Sequence, residues 1–131
     1  MTAVRLDQLV SVRYLVDDVA AALAFYTEHL GFAVNLDASP AFADAIRGGL
    51  RLLISGPRSS AGRPMADGET PGPGGWNRIH LIVPDLDAEI ARLRSEGVAF
   101  RNDVVSGPGG RQILVQDPAG NLVELFQPAG P

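Results

Sequence analysis

The sequence predicts an α+β protein of two successive βαβββ units, and three observations carry that expectation. An apolar run followed by an aspartate-started, one-sided helix occurs twice, at residues 10–16 with Asp17-Asp18 and at residues 78–83 with Pro84-Asp85. Each helix is followed by three short strand-like runs set apart by turn residues. Between the halves lies a Gly-, Pro- and Ser-rich stretch with no apolar period. The expected organisation is one domain over residues 1–131, with half-repeats at 8–57 and 76–128 joined by a linker or flap at 58–75.

Aligning Asp18 with Asp85 brings Val16 opposite Val83, Ala21 opposite Ala88, Leu23 opposite Ile90 and Ala24 opposite Ala91. Gly31 meets Gly97 after a one-residue slip. In the first helix Val19, Leu23, Tyr26 and Leu30 recur at helical spacing, with Asp17 or Asp18 as N-cap and Gly31 as the left-handed stop. In the second, Leu86, Ile90 and Leu93 form the apolar stripe between Asp85 and Gly97, and Arg92 and Arg94 suit the negative C-terminal end. Each helix is therefore expected to lie with one side on a sheet. The strand expectations are 32–36, 42–46 and 50–55 in the first half and 99–105, 112–115 and 122–126 in the second. Gly107-Pro108-Gly109-Gly110 has no helix after it, so it reads as a hairpin turn and not as a phosphate loop.

Composition excludes several chemistries. There are no cysteines, which removes disulfides, thiolate zinc sites and thiol nucleophiles and fits a cytoplasmic protein. All 11 basic residues are arginine, so neither Schiff-base chemistry nor a Walker lysine is available. With a net charge of −4 and no dense basic run, nucleic acid is not an expected partner. No stretch approaches the roughly 20 apolar residues of a membrane helix, and no secretory leader is expected.

Within the two βαβββ units, Leu23-Ala24-Phe25-Tyr26 leads to Leu30-Gly31-Phe32, and Asp117-Pro118-Ala119-Gly120-Asn121 leads to Glu124. On these motifs residues 8–128 resemble the vicinal oxygen chelate (glyoxalase/bleomycin-resistance/extradiol dioxygenase) superfamily. The resemblance implies curved mixed sheets that enclose a cup-shaped cavity, and a homodimer. It also implies four positions from which metal-dependent members bind a divalent ion through His, Gln or Glu. Here those positions carry Ser11, Leu53, Arg78 and Glu124, so a single carboxylate is retained. No metal is expected on that basis. A displaced site using His80 and Glu124 is the alternative, His80 sharing a strand face with Arg78.

If that alignment holds, Arg78 falls within reach of Glu124 and replaces the ion with a fixed cation. Such a pair either neutralises the interior or presents a polar anchor to a ligand. His80 is a candidate acid or base together with Glu124, or else a hydrogen-bonded wall residue. His29 reads as a surface or capping residue. Alternation places Ser11, Arg13, Leu53, Arg78, His80, Leu122, Glu124 and Phe126 on the ligand-facing side. Trp76 is either a lid or stacking residue or a buried anchor. The expected function is binding of a small organic ligand without metal, for drug or metabolite sequestration. The alternative is a lyase, isomerase or dioxygenase-type enzyme using Glu124 and His80.

Overall fold

The computed structural model describes residues 5–130. The chain divides into two compact units, Met1–Pro73 and Gly74–Pro131.

In the first unit, β1 (Val10–Leu15) leads into α1 (Val19–His29), which is followed by β2 (Ala33–Ala38), β3 (Phe42–Arg47) and β4 (Leu50–Ser55). The sheet order is β1-β4-β3-β2, parallel between β1 and β4 and antiparallel elsewhere. Asp18 caps α1 by accepting the Ala21 N–H at 3.0 Å, a contact worth about 1 kcal/mol. Gly31, at φ 72°, provides the left-handed exit. The expected stripe of Val19, Leu23, Tyr26 and Leu30 is buried. Tyr26 is fully buried, with Phe25 and Phe32 edge-on to it at 5.1 and 5.5 Å between ring centres. The Phe-Tyr…Leu-Gly-Phe motif is thus the aromatic core of this unit.

The second unit has β5 (Ile79–Ile82), α2 (Leu86–Ser95), β6 (Ala99–Phe100), β7 (Val105–Gly107), β8 (Gly110–Gln116) and β9 (Leu122–Pro128). The sheet runs β5-β9-β8-β6, with β7 also paired to β8, and β5 lies parallel to β9. Asp85 caps α2 through Ala88, and Gln127 Oε1 accepts the Leu86 N–H at 2.8 Å, tying the helix to β9. Asp87 in the first turn takes two donors from Arg111 on β8, and that guanidinium holds the Asp87 carboxyl below its ordinary pKa.

Two expectations need correction. Residues 99–105 are not one strand: 101–104 leave the ladder between β6 and β7. There the Asn102 side chain takes the place of a backbone partner, accepting the Leu114 N–H at 2.9 Å, while Arg101 N–H donates to Leu114 O. Nor is the whole stretch after β4 a bare linker. Residues 56–62 are folded onto the first unit: Gly56 N–H donates to Ala41 O, and Ser59 caps a 3-10 turn, Ser60–Gly62, by accepting the Gly62 N–H. A Cβ on Gly62 would lie 2.3 Å from Gly56 O, and one on Gly56 would lie 2.8 Å from the Val19 side chain, so close approach requires glycine at both positions.

Candidate functional site

Two neighbouring parallel strands bring the polar groups of the second unit together. The register of β5 and β9 sets His80 opposite Glu124 and Ile82 opposite Phe126, and side-chain alternation puts all four on the sheet face opposite buried Leu81 and Leu125. Arg78 lies just before β5. Its Nε and Nη2 both donate to Glu124 Oε1, at 3.1 and 2.9 Å, and its Nη1 donates to the Trp76 carbonyl at 3.3 Å. His80 Nε2 stands 3.4 Å from the other carboxylate oxygen, Oε2, and its ring lies 4.9 Å from that of Phe126. The carboxylate is mostly buried, at 11% side-chain exposure, whereas His80 is 46% exposed. Glu124 is therefore shared between a fixed cation on one oxygen and a solvent-accessible imidazole on the other.

This arrangement fits a metal ion poorly. A divalent ion requires several oxygen or nitrogen ligands converging on it. Glu124 Oε1 already accepts two guanidinium donors, and the positive charge of Arg78 opposes a second cation at the same oxygen. Among the described residues, no group of three His, Asp or Glu side chains is placed to hold a metal.

The first unit carries related positions with different chemistry. Leu53 of β4 stands between Arg13 of β1 and Asp44 of β3, while Glu124 of β9 stands between His80 of β5 and Leu114 of β8. Acid and leucine have exchanged strands. Asp44, fully buried, is bonded by Arg51 Nε at 2.5 Å, the Leu36 N–H at 2.8 Å and the Asn35 amide at 3.2 Å. Asp44 is not among the expected site residues and falls inside the strand expected at 42–46. The signal was there, since an acid on an otherwise apolar strand needs a partner.

Of the expected site residues, Ser11, Arg13 and Leu53 share one face of the first sheet. Arg13 Nη1 donates to Ser55 Oγ at 2.9 Å. Arg78, His80, Leu122, Glu124 and Phe126 belong to the second unit, with Leu122 buried. The buried-anchor alternative for Trp76 is corrected: the residue is 64% exposed, and the Arg101 guanidinium lies 5.4 Å from the ring centre. His29 is half-buried in the last turn of α1, against Phe25. The Asp117–Asn121 motif builds the β8–β9 turn. Asp117 Oδ1 accepts the Ala119 and Asn121 N–H groups, and Asn121 Oδ1 accepts the Gly74 N–H. In this chain the motif acts as a structural clasp beside Glu124.

A family model described as the glyoxalase/bleomycin resistance protein/dioxygenase superfamily matches residues 5–125. The chain belongs to this superfamily. The solved structures similar to it include several superfamily folds. One is a member of the glyoxalase/bleomycin resistance protein/dioxygenase superfamily from Sphaerobacter thermophilus DSM 20745, at 29% identity and TM-score 0.71, covering 91% of this chain and 95% of that one. Another is TnmS3, an antibiotic binding protein from Streptomyces sp. CB03234, at 26% identity and TM-score 0.71, covering 98% and 100%. A lactoylglutathione lyase from Agrobacterium tumefaciens has the same fold at 23% identity and TM-score 0.73, covering 91% and 92%. No curated protein matches the sequence. The glyoxalase-superfamily fold is thus established for this chain.

Proposed function

We propose that this glyoxalase-superfamily protein binds a small organic molecule without a metal, in the manner of a sequestering protein. The observation that carries the proposal is the double donation of Arg78 to Glu124 Oε1, which puts a fixed positive charge against the carboxylate that a metal ion would have to share. His80 and Phe126 beside it offer a hydrogen-bonding group and an aromatic surface, the mixture a ligand site uses. The likeness to TnmS3, an antibiotic binding protein, supports the same reading. Drug or metabolite sequestration in the cytoplasm is the role proposed. A homodimer is part of the proposal: β2, at the edge of its sheet, exposes Val34 and Leu36.

The test has two arms. Protein purified without chelator is expected to hold no stoichiometric divalent metal, and a thermal-shift screen of drug-like organic compounds is expected to give ligand-dependent stabilisation. Stoichiometric Ni, Zn, Fe or Mn, lost in parallel in His80→Ala and Glu124→Ala, would overturn the metal-free reading.

A second reading, catalysis, is favoured by one observation: the exposed His80 imidazole sits against a carboxylate that can orient it. Turnover of a small carbonyl substrate that disappears in His80→Gln while compound binding persists would establish it.

A further inference from the structure

The first unit contains a recess of about 430 Å³ lined by Arg13, Ala41, Phe42, Arg58, Ser59 and Ser60. Its floor follows from strand register. Arg13 is paired with Leu53, and Ser55, two residues further along β4, is paired with Phe42, so Arg13, Ser55 and Phe42 share one sheet face. Its rim is the 56–62 segment, held in place by the Gly56–Ala41 hydrogen bond and the Ser59 cap. Ser59 is committed to that turn, donating to Gly56 O at 2.6 Å.

The charges in this recess are unbalanced. Both ionisable lining residues are arginines and neither has an acidic partner: Arg13 donates to the neutral Ser55 hydroxyl, and Arg58 makes no hydrogen bond or ion pair among the described residues. In a chain of net charge −4, Asp44 on the same sheet is already taken by Arg51. Two guanidinium groups at one recess repel each other, and each presents a planar set of donors matched to an oxyanion. Phe42 supplies an aromatic wall.

We propose that this recess binds an organic anion, its carboxylate held by Arg13 and Arg58 and its apolar body against Phe42. The inference rests on the small-molecule-binding reading and goes beyond it: it names a ligand class and assigns Arg13, Arg58 and Phe42 of the first unit as the residues that hold it. A separate hollow of about 170 Å³, beside Asp17 and residues 70–73, is too small for such a ligand.

The test is calorimetric titration of the full chain with 2-naphthoate, its amide and 2-naphthylmethylamine, which differ mainly in charge. The acid is expected to bind at least about tenfold more tightly than the amide, and Arg13→Gln and Arg58→Gln each to remove about that factor. Arg58 is exposed and unpaired, so its variants should fold, and Arg58→Glu should shift preference toward the amine. Equal binding of acid and amide, no binding of the acid, or acid binding untouched by both arginine variants would overturn the inference. The two readings fail separately. Stabilisation by neutral or cationic compounds without any response to 2-naphthoate removes the anion site and leaves the binding function, whereas silence of the whole screen removes both.

Discussion

Arg78 and Glu124, 46 residues apart in sequence, meet on a single carboxylate oxygen, so that Oε2 is left to His80. This sharing makes the pair energetically coupled. In a double-mutant cycle of Arg78→Met and Glu124→Gln, the double variant should be more stable than the two single losses predict, by about 0.5–3 kcal/mol. Additive urea midpoints would show that the contact contributes nothing.

Asp44 and Arg51 form the corresponding charge pair of the first unit, with the acid fully buried. Asp44→Ala strands the guanidinium and the Leu36 N–H, and is expected to cost about 3–5 kcal/mol in chemical unfolding. The double replacement Asp44→Leu with Arg51→Met should recover most of that loss, because it removes the unpaired charge as well.

The Asp87–Arg111 contact links α2 to β8 at the surface. Its pH dependence has a definite sign. Hydrogen bonding and then charge from Arg111 hold the folded-state pKa of Asp87 below that of an ordinary aspartate. Its contribution is therefore fully present above the unfolded-state pKa and is lost as pH falls through the lowered folded value. Asp87→Asn should lower the urea midpoint at neutral pH and leave it unchanged at the acid end of that window. High salt should shrink the neutral-pH difference, since the pair is exposed.

Gly62 allows the rim segment to close on Gly56. Gly62→Ala should cost about 1–3 kcal/mol by overpacking and should weaken 2-naphthoate binding as well. Gly72→Ala, where an added Cβ meets nothing within 4 Å, serves as the control and should leave both unchanged. Thermal melts and titrations of the two variants decide the matter.

Much of this fold was readable along the chain because its determinants are local. Asp18 and Asp85 cap their helices, Gly31 and Gly97 end them in left-handed conformations, and Gly107 pairs with Gly110 across a hairpin turn as their spacing implies. Side chains that substitute for backbone partners leave no such local mark. Asn102 takes a ladder position that no local pattern marks, and this splits the strand expected at 99–105. The Ser59 cap sits in a segment whose composition resembles a linker, yet the Gly56 N–H bond to Ala41 O ties it to the first unit, and glycine at 56 and 62 leaves room for the close approach.

The same division holds at the site. Residue identity by itself determined the repeat, the superfamily pattern, the absence of cysteine and lysine chemistry, and the presence of Glu124 where the repeat-related position holds Leu53. Tertiary structure alone decided which oxygen of Glu124 each neighbour engages, that Asp44 is paired with Arg51, and that Arg13 and Arg58 share a recess with no acid. The physical reason is that helix caps and turns depend on neighbours a few residues away, whereas ion pairs and recesses depend on strand register. A register shift of one residue would turn every one of these side chains to the opposite face.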